Sequence, residues 1–329
     1  MTPLYIHGLK DVGQQRERNE DDYRIEPRGA EGWLLVVCDG MGGHGGGHIA
    51  SAVACETITD QLPAAPLPEP PRDIYESLRT ANIAVHRHAE TSADPAMGTT
   101  AVIAWIEGTR CWSGWVGDSR LYRFRAGKIM DQTVDHTRVQ AMVELGILSE
   151  KQAKNHPDAH ILTQAIGGGE RSDVKPSVWN EPMDLEPGDV LLMCSDGLYD
   201  LIRDEELYPM ISGKHYQAAV ETLVAEANRR GGVDNITVVV CVVGQPDVPA
   251  AEPLRRRPPI LPILAALLAL GLGVFLVVGL ASGAGFLLTR QVAESVELAD
   301  TSTPEVTPDA TPERASEPAI APAPEEPAG

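Results

Sequence analysis

The sequence predicts a layered α+β domain, with helices covering sheets, followed by a single transmembrane helix. Three observations carry this reading. Six short apolar runs rich in Val, Ile, Trp and Tyr have the length and composition of strands. Amphipathic helical patterns lie in separate stretches, so the order is neither strict β-α-β alternation nor all-β. Residues 258 to 288, PPILPILAALLALGLGVFLVVGLASGAGFLL, carry no charge at all.

In chain order, Trp33 to Cys38 reads as the first buried strand, and Gly47 to Gln61 and Arg72 to Ala89 as helices. Strands follow at Thr100 to Ile106, Cys111 to Val116 and Ser119 to Phe124. Arg138 to Leu145 is helical, and SEKQ at Ser149 to Gln152 has the spacing of a capping box that starts another short helix. Val190 to Cys194 is a strand. Tyr216 to Arg230 is a helix stopped by Gly231-Gly232, and Ile236 to Val243 is the last strand. The Ala, Val and Leu positions around 216 to 227 are a core-facing stripe and imply no cofactor.

A chain of 329 residues that is 43% hydrophobic can bury a full core. Its five cysteines, Cys38, Cys55, Cys111, Cys194 and Cys241, form no CxxC pair, so they read as small core thiols in a reducing compartment rather than a zinc or disulfide framework. A net charge of −20 leaves no basic stripe for nucleic acid, which is excluded as a partner. It leaves carboxylates to spare for cations.

Leu264 to Leu288 would form a helix of roughly 37 Å, enough to cross a bilayer core. Arg255, Arg256 and Arg257 precede it and only Arg290 follows closely, so the N-terminal side is expected in the cytoplasm. No apolar segment opens the chain, and no signal peptide is expected. The expected organisation is a folded domain over 1–244, a Pro/Arg-rich juxtamembrane linker over 245–259, a membrane helix over 260–288, and a disordered acidic, Pro-rich tail over 289–329 outside the cell. The expectation is a single-pass inner-membrane protein with its N-terminal domain cytoplasmic. Gly279 and Gly283 have the GxxxG spacing that permits weak dimerisation of the span.

The chemistry is written at strand ends. The first strand ends in Asp39-Gly40, and the strand over 190–194 runs into Ser195-Asp196-Gly197. Asp118 lies in WVGDSR after another apolar run, and Asp234 in GGVDNITVVVCVV just before the last strand. If these ends meet, the carboxylates repel, and cations are needed to keep them ionised. Oxygen donors of this kind select Mg²⁺ or Mn²⁺ over Zn²⁺. Gly40 is expected to turn its carbonyl into the site at a φ closed to other residues, with Gly42 and Gly43 letting the backbone pass close to an ion or phosphate. Upstream, RERNEDD places Arg16 near Glu20 and Asp21, a fork suited to a phosphate oxyanion. Asp118 has a plainer alternative, fixing the GDSR turn and pairing with Arg120.

The blocks RERNEDD, VVCDGMGGHGGGHIAS, MGTTAVIAWI, WVGDSRLYRF, DHT, LTQAIGG, LLMCSDGLYDLI and GGVDNITVVV, in that order between about Lys10 and Val243, resemble the metal-dependent protein phosphatases (PPM, the type-2C serine/threonine phosphatases) in their bacterial form. The resemblance implies a four-layer α-β-β-α sandwich with two central antiparallel sheets and a dinuclear Mn²⁺ or Mg²⁺ centre at one end. It implies that Asp39 bridges both ions with the Gly40 carbonyl on one, and that Asp196 and Asp234 are ligands. Asp118 with Asp196 would hold a weaker third ion. Glu20 and Asp21 would hold waters bound to the ions, Asn235 would orient the Asp234 end, and Arg16 would bind the substrate phosphate. The implied reaction is hydrolysis of phosphoserine or phosphothreonine in proteins, without a covalent enzyme intermediate, with a serine/threonine kinase among the substrates. Eukaryotic members carry histidine after the Asp-Gly pair where this chain has Met41, as bacterial members do; His44 or a water on the ions are candidates for the general acid. His44, His48, His136 and His156 otherwise read as loop or cap residues. Residues from His136 to about Asn180 occupy the place of a variable flap, expected as a mobile lid beside the ions. A non-catalytic phosphoprotein-binding module would have lost some of these carboxylates, and none is missing. Another two-metal hydrolase, such as a nuclease, is disfavoured by the acidic surface and the block order.

Overall fold

The structure, a computed structural model, describes residues 2–30, 32–42, 45–92, 94–154, 156–167 and 173–251. The expected membrane helix over 260–288 and the tail over 289–329 lie outside the described residues. Among the described residues, no helix is long and apolar enough to cross a membrane.

The chain opens with β1 (Leu4–Asp11), β2 (Asp22–Arg28), β3 (Gly32–Cys38) and a two-residue β4 (Gly40–Met41), followed by helices α1 (Gly47–Gln61) and α2 (Pro70–Thr91). A second strand run comprises β5 (Gly98–Thr99), β6 (Ala101–Glu107), β7 (Arg110–Val116), β8 (Arg120–Arg125) and β9 (Lys128–Gln132). Short helices α3 (Arg138–Glu144) and α4 (Glu150–Ala153) lead to the small strands β10 (Ile166–Gly167), β11 (Ser177–Val178) and β12 (Met183–Asp184). Then come β13 (Val190–Cys194), α5 (Asp196–Tyr199), α6 (Asp204–Ile211), α7 (Tyr216–Arg229) and β14 (Ile236–Val243). Ser149 and Gln152 form the expected capping box at α4.

Every pairing is antiparallel. One large sheet has the order β1-β14-β13-β8-β9, a second has the order β11-β7-β6-β3-β2 with β12 also on β7, and a small third sheet has the order β10-β5-β4. Period-two alternation builds the layers. In β14, Val239, Cys241 and Val243 meet Leu35 and Val37 of β3 and Val102 and Ala104 of β6 between the two sheets. Val238, Val240 and Val242 point the other way, onto Val220 and Leu223 of α7 and Leu207 of α6. In β3, Leu34, Val36 and Cys38 face Ala54 and Ile58 of α1 and Leu78 of α2. These are the four layers, α-β-β-α, that the resemblance implies.

Strands β1, β2 and β9 were not legible in the sequence, and each lies at the edge of its sheet. Edge strands are buried on fewer sides, so LYIHGLKD, DYRIEPR and KIMDQ mix charge with apolar residues, and β2 tolerates Pro27. The packing also continues past Gly244. Val248 is buried beside α6 and α7, the Tyr208 hydroxyl donates to the Pro249 carbonyl at 2.8 Å, and Ala251 N–H donates to Ser212 Oγ. The first part of the stretch expected as linker, residues 245 to 251, is therefore packed domain.

Candidate active site

Strand register alone gathers the strand-end aspartates. Val37 pairs with Val102 and Ala101 with Val116, so Asp39 and Asp118 leave the same end of one sheet. Arg120 pairs with Cys194, and Cys194 with Val238, so Asp118, Asp196 and Asp234 share one end of the other. Asp11 opposite Ile236 and Asp22 opposite Cys38 bring the intervening loop, with Arg16, Glu20 and Asp21, to that end as well.

Asp39 is clamped through its main chain. Its carbonyl accepts from Thr100 N–H and Thr99 Oγ1, each at 2.8 Å, and its N–H donates to Thr100 Oγ1 at 3.0 Å. Asp39 keeps some surface open to solvent, yet its deep surroundings, followed by the charges of Asp21, Asp196, Asp118 and Asp234, hold its pKa well above the ordinary carboxylate range. Asp196 is raised in the same way, by burial and then by Asp118, Asp200, Asp234 and Asp21. Two carboxylates about 4 Å apart repel by roughly 4 kcal/mol at an effective dielectric near 20, so such a group is stable only protonated or bound to cations.

Asp21 lies behind them, 2% exposed. Its Oδ2 accepts from Ser195 Oγ at 2.8 Å and Thr237 Oγ1 at 2.7 Å, while its Oδ1 is buried with no hydrogen-bond partner. Burial, partly offset by those two hydroxyls, lifts its pKa to about 6. Glu20 is half-buried and raised as well, by burial first. Asn235 uses its whole amide: Oδ1 accepts from Glu20 N–H at 2.8 Å, and Nδ2 donates to the Val12 and Arg18 carbonyls. It thereby ties the loop carrying Arg16 to the start of β14. Arg16 Nη2 meets Asp234 Oδ2 at 2.6 Å, with about half of its side chain exposed.

Asp118 is 6% exposed, with a pKa raised to about 6 by burial and then by Asp135. The alternative that it pairs with Arg120 is not met. Arg120 spends its fork on Asp135, with contacts of 2.9 and 2.6 Å, reaches Asp204 at 3.3 Å, and stacks over Tyr199. Gly40 also departs from expectation, because its φ is not in the positive range. Glycine is required there by crowding: a Cβ would lie 2.2 Å from the Gly47 carbonyl oxygen and 2.4 Å from that of Glu20. At Gly42 the obstacle is Asp94 Oδ2, 2.7 Å from where a Cβ would stand; Gly43 and His44 lie outside the described residues. Gly197 is crowded like Gly40, with the Asn235 carbonyl oxygen 2.0 Å from an added Cβ.

The profile of the protein phosphatase 2C family matches residues 13–229. The chain is 32% identical over 251 residues to Protein phosphatase PhpP of Streptococcus pneumoniae, covering 74% of this chain and 99% of that one. The chain belongs to the protein phosphatase 2C family. Its fold matches the S. agalactiae serine/threonine phosphatase with a TM-score of 0.68 at 32% identity, over 73% of this chain and 99% of the other. It matches the catalytic domain of the serine/threonine protein phosphatase PstP, solved in complex with two manganese ions, with a TM-score of 0.65 at 30% identity, over 74% of this chain and all of that one.

As a member of the phosphatase 2C family, the chain has residues that fit a divalent-metal centre on its own evidence. The donors are carboxylates, no protein cation among the described residues neutralises the Asp39–Asp196 pair directly, and the orphaned Asp21 Oδ1 has the place of an acceptor for an ordered water. Sequence reasoning missed Asp200 and His160. One ligand atom from each, with one from Asp196, lie within 4.8 Å of one another. The spacing of Asp200, one helical turn after Asp196, was a signal available in the chain. His136 is structural: its Nδ1 accepts from Gly117 N–H, its Nε2 meets Ser177 Oγ at 2.9 Å, and its ring stacks on Trp115. His156 Nδ1 accepts from Asp158 N–H, and His48 Nδ1 contacts the Gly45 carbonyl, as loop histidines do.

Proposed function

We propose that this chain is a metal-dependent serine/threonine protein phosphatase whose active centre is the carboxylate group at the shared end of the two sheets. The observation that carries the reading is the raised pKa of Asp39 and Asp196, caused by burial and then by the charges of the neighbouring aspartates, in a family of phosphoprotein phosphatases. Asp39, the Gly40 carbonyl, Asp196 and Asp234 would hold two Mn²⁺ or Mg²⁺ ions. Bound there, the ions supply a nucleophilic water at neutral pH and neutralise phosphoryl oxygens. Asp21 and Glu20 would accept hydrogen bonds from waters around them, with Ser195 and Thr237 fixing the Asp21 carboxylate.

Arg16 would bind the substrate phosphate. Among the described residues its guanidinium pairs with Asp234, and about half of the side chain is exposed, so a phosphate dianion can take up its remaining donors. Asn235 keeps that arginine in register. Met41 cannot deliver a proton to the departing serine or threonine oxygen, which leaves that task to water or to His44.

The finer reading is a single-pass inner-membrane protein with the phosphatase domain in the cytoplasm and residues 289–329 outside. It rests on the charge-free stretch over 258–288 and the arginines at 255–257. A phosphorylated serine/threonine kinase is the proposed partner, Gly279 and Gly283 a weak dimer contact, and Asp118 with Asp196 the holder of a third ion.

The test is hydrolysis of a phosphothreonine peptide by the full-length chain with Mn²⁺, with chelator, and with Asp196→Asn. Turnover that requires Mn²⁺ and is lost in the variant is the expected result. Turnover indifferent to chelation would overturn the metal reading, and a folded, metal-binding chain without turnover would point to a binding module.

A further inference from the structure

Arg18 stands two residues beyond Arg16 on the loop that Asn235 pins, its own carbonyl accepting from Asn235 Nδ2 at 3.0 Å. Its backbone is thus fixed, while its side chain leaves the loop in a different direction from that of Arg16. Arg16 reaches Asp234, beside the start of β14; Arg18 reaches the start of α1, where its Nη1 lies 3.4 Å from His48 Nδ1. Gly45 leaves the room for it. That glycine holds φ +78°, and a Cβ there would stand 3.0 Å from Arg18 Nη1 and 3.9 Å from Glu20 Oε1. The guanidinium therefore sits over bare backbone next to Glu20, at the rim of the carboxylate centre, and it is exposed. Its donors are unspent. Among the described residues the side chain enters no ion pair, and its one hydrogen-bond-like contact, to His48, is donor against donor. His48 Nδ1 also meets the Gly45 carbonyl at 2.5 Å; a carbonyl only accepts, so Nδ1 carries the proton and has no lone pair for Arg18. A guanidinium whose backbone is held by Asn235 thus stands beside the centre without an acceptor, an arrangement that an anion of the substrate completes.

We propose that Arg18 is a specificity-determining residue that binds a second phosphate of the substrate, so that the enzyme favours a phosphothreonine with another phosphorylated residue two or three positions away. The inference rests on the phosphatase reading, with Arg16 on the phosphate that is hydrolysed. Two extended residues cover about 7 Å and three about 10 Å, which matches a pair of arginines whose Cα atoms are at most about 7 Å apart and whose side chains splay. The guanidinium fork takes two oxygens of a phosphate at once. A neighbouring glutamate carries less charge and fewer acceptor oxygens, so it is the poorer occupant. Because the second phosphate does not react, its contact is the same before and during hydrolysis, and it acts on KM rather than on kcat.

The experiment uses the full-length protein with Mn²⁺ and phosphothreonine peptides that carry, two or three residues away, alanine, glutamate or a non-hydrolysable phosphonate. Phosphate release gives kcat/KM for each, and fluorescence anisotropy with phosphonates at both positions gives binding without turnover. The wild type is expected to favour the second phosphonate over alanine by roughly 10-fold in kcat/KM, through KM, with glutamate in between. Arg18→Ala should bring that ratio to unity, and Arg18→Glu should invert it. Each variant is read as a ratio between its own substrates, so a loss of stability cancels. A wild-type ratio of unity, a ratio that survives Arg18→Ala, or a glutamate peptide equal to the phosphonate would overturn the inference. If no peptide is hydrolysed, the phosphatase reading fails by itself, and the same ratios in anisotropy decide the role of Arg18.

Discussion

Asp39 concentrates the energetics of the site at a single residue. Its carboxylate feels the charges of four others in deep surroundings, so replacing it with asparagine removes a proposed ligand and a repulsion together. Asp39→Asn is expected to abolish Mn²⁺-dependent turnover while raising the melting temperature of the metal-free protein by a few degrees, about 2–4 °C for each kcal/mol relieved. A metal-free variant that melts below the wild type would contradict the repulsion argument. Asp21 adds a pH dependence of definite sign. Its folded pKa of about 6 exceeds the ordinary 3.8, so between those values the native state holds a proton that the unfolded chain has lost. The corresponding stability is present below about pH 4 and lost as pH rises through 6; Asp118 acts in the same direction. Divalent ions compete with these protons. The Mn²⁺-induced rise in melting temperature should therefore be larger at pH 7 than at pH 5, measured by thermal scans at fixed free metal.

At the scale of elements, register does the assembling and crowding preserves it. The turn from β13 into α5 packs against the start of β14 so closely that a Cβ at Gly197 would stand 2.0 Å from the Asn235 carbonyl oxygen. Because that oxygen is backbone, it can yield only by moving β14 and, with it, Asp234. Gly197→Ala is thus expected to lower both the melting temperature and the Mn²⁺ affinity, and a variant with lower stability but unchanged metal binding would show that the two strands adjust without disturbing the ligands. Asn235 works on the same joint from the other side, holding the Arg16 loop by three hydrogen bonds. Its role was expected only loosely, as orientation of the Asp234 end; the contacts specify that it positions Glu20 and the Arg16 loop.

For the whole molecule, the proposed membrane topology makes a prediction. All five native cysteines are buried, so an impermeant thiol reagent applied to intact cells has little background. Thr307→Cys should be labelled and Glu90→Cys protected if the catalytic domain is cytoplasmic and the tail outside. The opposite pattern would invert the topology. Substrate choice belongs to this scale too: a chain of net charge −20 does not attract acidic phosphoproteins over long range, so recognition is expected from local contacts, for which Arg16 and the flap are the proposed places.

Six apolar runs with an aspartate at or near four of their ends were legible in the chain because strand burial and period-two alternation are local properties. So were the glycines beside those aspartates, the capping box at Ser149, and the arginine of RERNEDD. The edge strands β1, β2 and β9 were not, since partial exposure dilutes their apolar signal. Nor could the chain reveal that Arg120 abandons Asp118 for Asp135 and Asp204, or that Asn235 binds the carbonyls of Val12 and Arg18. Those partnerships join residues as much as 223 positions apart, and they follow from how two sheets stack and in what register. The sequence by itself determined which carboxylates stand at strand ends and beside glycines; the tertiary structure alone decided which of them share one end of the fold, and added His160 and Asp200, because a side chain's neighbours across a fold are set by packing rather than by spacing along the chain.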